Sequence, residues 1–323
     1  MRIAIASGKG GTGKTTLAAN LAMAASRQGR TVAYLDCDVE EPNGHLFLKP
    51  DIDKRDLVTT PLPRVVEEAC DLCGMCGEIC QYSAIVCVGQ KVLVYPDLCH
   101  GCGGCALVCP KRAIVETPRE MGVVECGRAG PVEFVHGLLN VGEAQSPPVI
   151  KAVKAGAPDV DWFILDAPPG TSCPVITTVR DCDFVVLVTE PTPFGLNDLV
   201  LAVETMRQLE LPFGVVINRA DVGDDRVTNY CAVERIPVLL EIPDDRRIAE
   251  AYSRGELVID AVPETRALFD RLRVRIEESL SANLSGAGAA SSYARASTRD
   301  SKLRGTDTQG VRDANGRMNH ESR

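Results

Sequence analysis

Apolar and polar positions along the chain fall into two alternating kinds of block. Ile3–Ser7 is a short apolar run. The glycine-rich stretch Gly8–Gly13 follows, and then Thr15–Gln28, where Leu17, Leu21 and Ala24 recur at helical spacing. Gly29 ends that helix and Thr31–Leu35 starts a second apolar run. Strand, helix and strand at this spacing form a βαβ unit, so the strands pair in parallel. Trp162–Leu165, Phe184–Thr189 and Phe213–Ile217 repeat the pattern, with helical stretches between them. Strands this continuously apolar are buried on both faces. The expected fold class is α/β, a mostly parallel sheet with helices on both faces. Leu268–Leu280 reads as a closing amphipathic helix, and its polar face mixes acids with arginines, which favours packing over membrane binding.

From Pro61 and Pro63, read as the entry to an insert in a surface loop, to Pro118, read as its exit, the alternation stops and cysteines take over. Cys70, Cys73, Cys76 and Cys80 are followed, 29 residues on, by Cys99, Cys102, Cys105 and Cys109. Each run reads C-x2-C-x2-C-x3-C, and Ala84-Ile85 recurs as Ala113-Ile114, the mark of one duplicated unit. Ala84–Val88 and Lys91–Tyr95 flank Gly89-Gln90 as a hairpin. Such runs hold 4Fe–4S clusters in bacterial ferredoxins, where the fourth cysteine of each run ligates the other cluster. The expected ligand sets are therefore Cys70, Cys73, Cys76 and Cys109 for one cluster, and Cys99, Cys102, Cys105 and Cys80 for the other. Zinc also takes four thiolates, but zinc ribbons separate two C-x2-C pairs by a longer gap. Gln81 stands where Pro110 follows the second run, which alters a turn without removing a ligand.

Six cysteines remain. Cys37, Cys182 and Cys231 are expected as small core residues and Cys87 as a structural thiol. Cys126 has no assigned role. Cys173 is read as a packed or idle thiol, with a metal or client-cluster ligand as the alternative. His45, His100 and His136 have no partner at ligand spacing and are expected to be solvated or capping.

Apolar content of 45% and charge of 24% are ordinary for a globular protein of 323 residues. The net charge is −9, while residues 281–323 hold seven Lys or Arg against four Asp or Glu. The rest is thus strongly acidic, which disfavours broad contact with nucleic acid or anionic lipid. Aromatics at 4% offer no stacking platform for single strands. The segment 281–323 has almost no large apolar residues and is expected to be disordered. No charged leader or bilayer-length apolar run is present, so the expected location is the cytoplasm, where cysteines ligate metal instead of forming disulfides.

The segment Gly8-Lys9-Gly10-Gly11-Thr12-Gly13-Lys14-Thr15 matches G-x4-G-K-[ST] between a strand and a helix. Backbone N–H groups in such a loop converge on phosphate oxygens, and the helix N-terminus favours negative charge. Lys14 is placed on the β- and γ-phosphates of ATP, and Thr15 on Mg2+. With Lys9 and Thr16, the string KGGTGKTT resembles the deviant Walker A motif of the MinD/ParA and nitrogenase-iron-protein class of ATPases. The resemblance implies that Lys9 reaches across an ATP-bound homodimer to the partner's phosphates. It gives Asp38 the attacking water, Asp36 and Asp166 the Mg2+ shell, and Gly170 the γ-phosphate. It puts Asn218 and Arg219 at the adenine and Pro243 and Asp244 at the far wall of the base pocket. Asn43 matches an asparagine just beyond the first switch in MinD-like proteins.

Residues 1–280 as a whole resemble MinD/ParA/Mrp-superfamily ATPases with an inserted ferredoxin domain. The implied organisation is a P-loop ATPase domain over 1–62 and 119–280, an α+β insert over 63–118, and the tail. The implied function is a nucleotide-switch ATPase with two 4Fe–4S clusters that couples ATP state to electron transfer or metallocofactor assembly on a client protein. No Cys-x-x-Cys lies near the C-terminus, which disfavours simple cluster carriage of the Mrp type. The alternative is a MinD/ParA-like positioning ATPase whose insert docks or senses redox state. A third reading makes the clusters purely structural.

Overall fold

In the computed structural model, backbone structure is described for residues 1–297 and side chains for residues 1–282. In chain order the strands are β1 (Arg2–Ala6), β2 (Val32–Asp36), β3 (Asp51–Val65), β4 (Ile85–Val88), β5 (Lys91–Val94) and β6 (Ile114–Ala129). They continue as β7 (Val132–Leu139), β8 (Trp162–Asp166), β9 (Phe184–Thr189), β10 (Phe213–Asn218) and β11 (Val238–Ile242). The helices are α1 (Lys14–Arg27), α2 (Gly44–Leu48), α3 (Met75–Ile79), α4 (Gly104–Val108), α5 (Pro147–Gly156) and α6 (Cys173–Val179). After these come α7 (Pro193–Gln208), α8 (Arg226–Val233), α9 (Arg246–Ser253), α10 (Val258–Ala261) and α11 (Arg266–Ser297).

Nine strands form one sheet in the order β11-β10-β9-β1-β8-β2-β7-β6-β3. Pairing from β11 to β7 is parallel, and β6 and β3 add antiparallel strands at one edge. Successive residues of a strand point to opposite faces. Ile3 and Ile5 of β1 accordingly join Tyr34, Ile164 and Phe184 against α1 and α11. Ala4 and Ala6 join Leu35, Leu165, Val185 and Leu187 against α5, α6, α7 and α8. Both faces are covered, as the unbroken apolar strands require. Cys37, Cys182 and Cys231 are buried in this second layer, in line with the expectation for them.

The cysteine segment does not leave the body through a loop. β3 and β6 pair along a ribbon that continues past the sheet edge, with Pro61 opposite Pro118 in its register. The prolines expected to mark the insert's limits therefore lie within strands. An edge ribbon tolerates them because a proline there need not donate to a neighbouring strand. β7 pairs with β6 only from Gly122 onward, and beyond it the ribbon is held by its own pairing and by side-chain and loop bonds at Met121, Glu120 and Arg119. At its tip sit α3, α4 and the β4–β5 hairpin, which matches the hairpin read from Gly89-Gln90.

The last helix is longer than the pattern of Leu268–Leu280 indicated. α11 runs to Ser297 and so extends into the segment 281–323. Repeated alanines there favour helix intrinsically, without an apolar stripe to advertise it. The remainder of that expected tail, 298–323, lies outside the described residues.

Candidate functional site: a phosphate-loop cavity and a paired cysteine module

Gly11 and Gly13 hold φ of 78° and 94°, left-handed values that residues with a Cβ resist. Gly13 caps α1, and a Cβ there would lie 2.7 Å from Asn218 Nδ2. A cavity of about 310 Å3 opens beside this turn. Gly10, Gly11, Gly13, Lys14, Thr15 and Thr16 line it together with Asp38, Asn43, Asn218, Arg219, Pro243 and Asp244. Gly8, Lys9, Thr12, Asp36, Asp166 and Gly170 are not among its lining residues. Gly8 instead packs so closely on the backbone of Asp198 that a Cβ would come within 2.3 Å of its carbonyl oxygen.

Behind the loop lies a cluster of buried charge. Asp36 and Asp166 end β2 and β8 as register partners. Both Asp36 oxygens accept backbone N–H groups, from Gly44 at 2.8 Å and Asp38 at 3.2 Å. Tyr34 OH donates to Asp166 Oδ2 at 3.0 Å, and the Thr15 hydroxyl lies near enough to this carboxylate to favour its charged form. Burial pushes Asp36 well above the usual carboxylate range, and the neighbouring Asp166 adds to it. Burial raises Asp166 too, against the Thr15 hydroxyl, the charge of Lys14 and the bond from Tyr34. Asp38 is pushed up to about 7 by burial and by Asp166, with Lys14 opposing. Burial lowers the Lys14 ammonium, against the pull of Asp166 and Asp38.

Carboxylates crowded this way call for a cation. Asp166 Oδ1 is buried with no hydrogen-bond partner, and the Thr15 hydroxyl lies beside it. An unclaimed carboxylate oxygen and a hydroxyl suit Mg2+, a hard ion that takes oxygen ligands and keeps several waters. Asp36 fits that role less well, since its oxygens already hold the chain from Asp38 to Gly44. Tyr34 and Gly44 were missed from the sequence. Their signal is steric: a Cβ on Gly44 would sit 2.4 Å from the Tyr34 ring.

Lys9 turns to Glu190, 3.6 Å away, which Arg219 also meets at 3.3 Å. Arg219 reaches Asp244 at 3.5 Å as well. Asn218 Nδ2 donates to the Thr12 carbonyl at 2.9 Å and Oδ1 accepts from the Arg219 N–H. The amide expected at the adenine thus also ties β10 to the phosphate loop.

The cysteine module repeats its backbone as well as its sequence. Left-handed residues recur at the same 29-residue offset: Leu72 and Gly101 at 60° and 63°, Gly74 and Gly103 at 81° and 72°, Ser83 and Arg112 at 52° and 50°. Cys70, Cys73, Cys76 and Cys109 line one small cavity, so the fourth cysteine of the second run joins the first three of the first. Cys99 and Cys102 lie close enough to Cys105 for their charges to act on its thiol. Cys80 and Cys109 sulfurs accept from the N–H of Ala84 and Ala113, each at 3.3 Å. Burial opposes ionisation of Cys80, but backbone N–H groups of Tyr82, Ala84, Ile85 and Ser83 lower its thiol on balance. N–H groups aimed at sulfur suit thiolate ligands of an iron–sulfur cluster. Among the described residues no three His, Cys, Asp or Glu converge as ligands of a single metal ion would. A four-iron cube needs no such point, because each iron takes its own thiolate.

The two halves differ in what covers them. Beside the first cavity Asp71 pairs with Lys111 at 3.9 Å. At the equivalent places in the duplicate, His100 stacks on Tyr82 with ring centroids 3.6 Å apart. His136, expected to be solvated or capping, is buried, and its Nε2 meets Glu125 at 2.8 Å. Cys173 is exposed at the start of α6. Cys126 is half-buried against the Gly156 carbonyl.

Residues 3–258 match the CobQ/CobB/MinD/ParA nucleotide-binding domain. An uncharacterized protein of Methanocaldococcus jannaschii is 36% identical over 86% of this chain and 97% of its own. The iron-sulfur cluster carrier protein of Pyrococcus horikoshii is 25% identical over 83% of each chain. In fold, the cell division ATPase MinD of Pyrococcus furiosus superposes with a TM-score of 0.53 at 23% identity, covering 86% of this chain and 98% of that one.

Proposed function

Since the chain belongs to the CobQ/CobB/MinD/ParA nucleotide-binding family, we propose that it is an ATPase whose nucleotide state governs iron–sulfur chemistry delivered to a client protein. The observation that carries this reading is the presence, in one compact unit, of a phosphate-loop cavity and a cage formed by Cys70, Cys73, Cys76 and Cys109. The kinship with a protein named as an iron-sulfur cluster carrier supports it.

In this reading the loop from Gly8 to Thr16 holds the triphosphate, with Lys14 on the β- and γ-phosphates. Thr15 and Asp166 hold Mg2+, and Asp36 fixes the first switch through Gly44 and Asp38. Asp38 orients a water for attack on the γ-phosphorus, and the bond to the β–γ bridging oxygen breaks to release ADP and phosphate. Such transfer needs alignment and charge neutralisation more than covalent help. Asn218, Arg219, Pro243 and Asp244 bound the base. Lys9 faces Glu190 and not its own cavity, which leaves it for a second copy's phosphates in an ATP-bound homodimer. Cys70, Cys73, Cys76 and Cys109 would hold one 4Fe–4S cluster, and Cys99, Cys102, Cys105 and Cys80 the other. When bound, these groups supply one-electron chemistry.

The test uses protein purified without air. Iron and sulfide should be present, ATP should be hydrolysed, and the reduced protein should be re-oxidised by its client faster with ATP than with ADP. Equal rates with ATP, ADP and no nucleotide would overturn the coupling. An Asp38→Ala variant should bind ATP, stop hydrolysing it, and sediment as a dimer.

A further inference from the structure

We propose that α5 is the element that couples the nucleotide site to the second cysteine run, with Gln145 and Lys154 as positioning residues at its two ends. The inference rests on the ATPase reading above and adds the route by which the two halves communicate.

One end of α5 grips the module. Gln145, immediately before the cap residue Ser146, donates from Nε2 to the carbonyl of Cys99 at 3.2 Å. Two residues earlier, Glu143 pairs with Arg119 of β6 at 2.5 Å. Arg119 also bonds the Pro96 carbonyl and lies 3.5 Å from Asp97. The peptide leading into the first thiol of the second run is thus tied to the body. The duplication supplies an internal control. The equivalent stretch, Glu67–Cys70, is bonded locally, through Val66 and Glu67 carbonyls, and no hydrogen bond to the body is seen for it among the described residues.

The other end of α5 grips the nucleotide switches. The Lys154 side chain is 8% exposed and lies 3.1 Å from Asp181. Its ammonium donates to the carbonyls of Thr177 and Thr178, both at 2.9 Å, at the C-terminal end of α6. A cation there is favoured by the helix dipole. α6 starts three residues after Gly170, whose N–H donates to the Ser7 carbonyl at 2.9 Å. The first switch meets the same helix: around the absent Cβ of Gly137, Val39, Val149 and Val153 methyls converge to within 2.7–2.8 Å. Val39 directly follows Asp38.

A short, packed helix moves as a body and does not absorb displacement along its length, because its backbone bonds are internal and its buried face is close-packed. Rearrangement of the Asp166–Gly170 loop or of Asp38 on nucleotide binding therefore shifts Val149, Val153 and Lys154, and with them Gln145. β7 pairs with the ribbon only as far as Gly122; past it Asn140 holds the Met121 and Glu120 carbonyls, and Glu143 on Arg119 and Gln145 on Cys99 add the ties that lie closest to α5. The coupling reaches Cys99 and bypasses Cys70.

Hydrogen exchange read by mass spectrometry on the cluster-loaded protein tests this, with ADP–Mg2+, a non-hydrolysable ATP analogue with Mg2+, and no nucleotide. Peptides covering 94–103 should change exchange rate by about fivefold or more between ATP analogue and no nucleotide, the lower end of ordinary coupling. Peptides covering 66–74 should not. Gln145→Ala should abolish the response at 94–103 while calorimetry shows ATP-analogue affinity within about twofold of the parent. Lys154→Met should do the same from the other end, and Gln145→Glu should not restore the response, since it loses the donor. An unchanged response at 94–103 in Gln145→Ala overturns the proposal. A parent protein that binds nucleotide with a flat response overturns it and leaves the ATPase reading standing. Failure to bind nucleotide at all overturns both.

Discussion

Around β1 and β8, Ile3, Ile5, Ile164 and Leu165 are at most 1% exposed, and two apolar layers sandwich the sheet. In the cysteine module the enclosed apolar cluster shrinks to Cys76, Ile85 and Ile114. Met75, Tyr82 and Leu107 there are 43%, 49% and 87% exposed. The body has enough buried surface to hold its own shape, and the phosphate site draws on that rigidity. A segment of roughly 50 residues with so small a core needs another source of stability, and in the proposed function its eight repeated thiols would supply the ligands for one. The difference teaches that the nucleotide site is preorganised by packing, whereas the module, in the function proposed above, would owe its order to the clusters its cysteines would hold.

The strongest way to break this comparison is to strip iron. Chelation under reducing conditions should raise exchange in residues 66–113 by more than about 100-fold, because metal binding and local folding are one equilibrium. Amides of β1, β8 and β9 should keep their protection. Equal loss in both regions would show that they fold as one unit.

Next in size is Lys14→Ala. Loss of a charged donor to phosphate should cost about 2–3 kcal/mol, close to 100-fold in ATP affinity, with the module's iron content unchanged. Titration calorimetry and iron assay read both halves of that statement.

Gly137→Ala probes packing where α5 meets the first switch. Its Cβ would meet Val39, Val149 and Val153 methyls at 2.7–2.8 Å. Overpacking of this kind costs about 1–3 kcal/mol, read as a lower urea midpoint for the body.

The smallest effect is expected at Asp260, bonded to Arg27 by two contacts of 2.8 and 2.9 Å on an exposed edge. Asp260→Asn should change stability by no more than about 1 kcal/mol, since solvent screens the pair. The bond to Arg27 lowers the Asp260 carboxyl. A lowered carboxyl contributes stability above its unfolded value, near pH 4, and loses it as pH falls through the folded value. The parent and variant should therefore converge in stability at low pH and differ slightly at neutral pH.

Much of this architecture was written in local pattern. The phosphate loop is contiguous, so its glycines, Lys14 and Thr15 could be read as a string. The β4–β5 hairpin and the 29-residue repeat were legible for the same reason. The alternation of apolar strands with helices gave a parallel sheet because both faces of each strand must be covered. The crossing of Cys109 to the first run was expected only because the runs resemble those of bacterial ferredoxins, and Cys109 does line the cavity of Cys70, Cys73 and Cys76. Other features join residues far apart in the chain, and no local pattern encodes them. The ribbon of β3 and β6 pairs Pro61 with Pro118 across 57 positions, and only pairing shows that the prolines lie inside strands. Tyr34 on Asp166, His136 on Glu125 and Gln145 on the Cys99 carbonyl are equally non-local. What the sequence by itself determined was the family fold and which motifs this chain carries, since motif and periodicity act over a few turns of backbone. The tertiary structure alone decided how those motifs face one another, because burial and hydrogen bonding are settled by whichever distant groups the close-packed fold brings into reach.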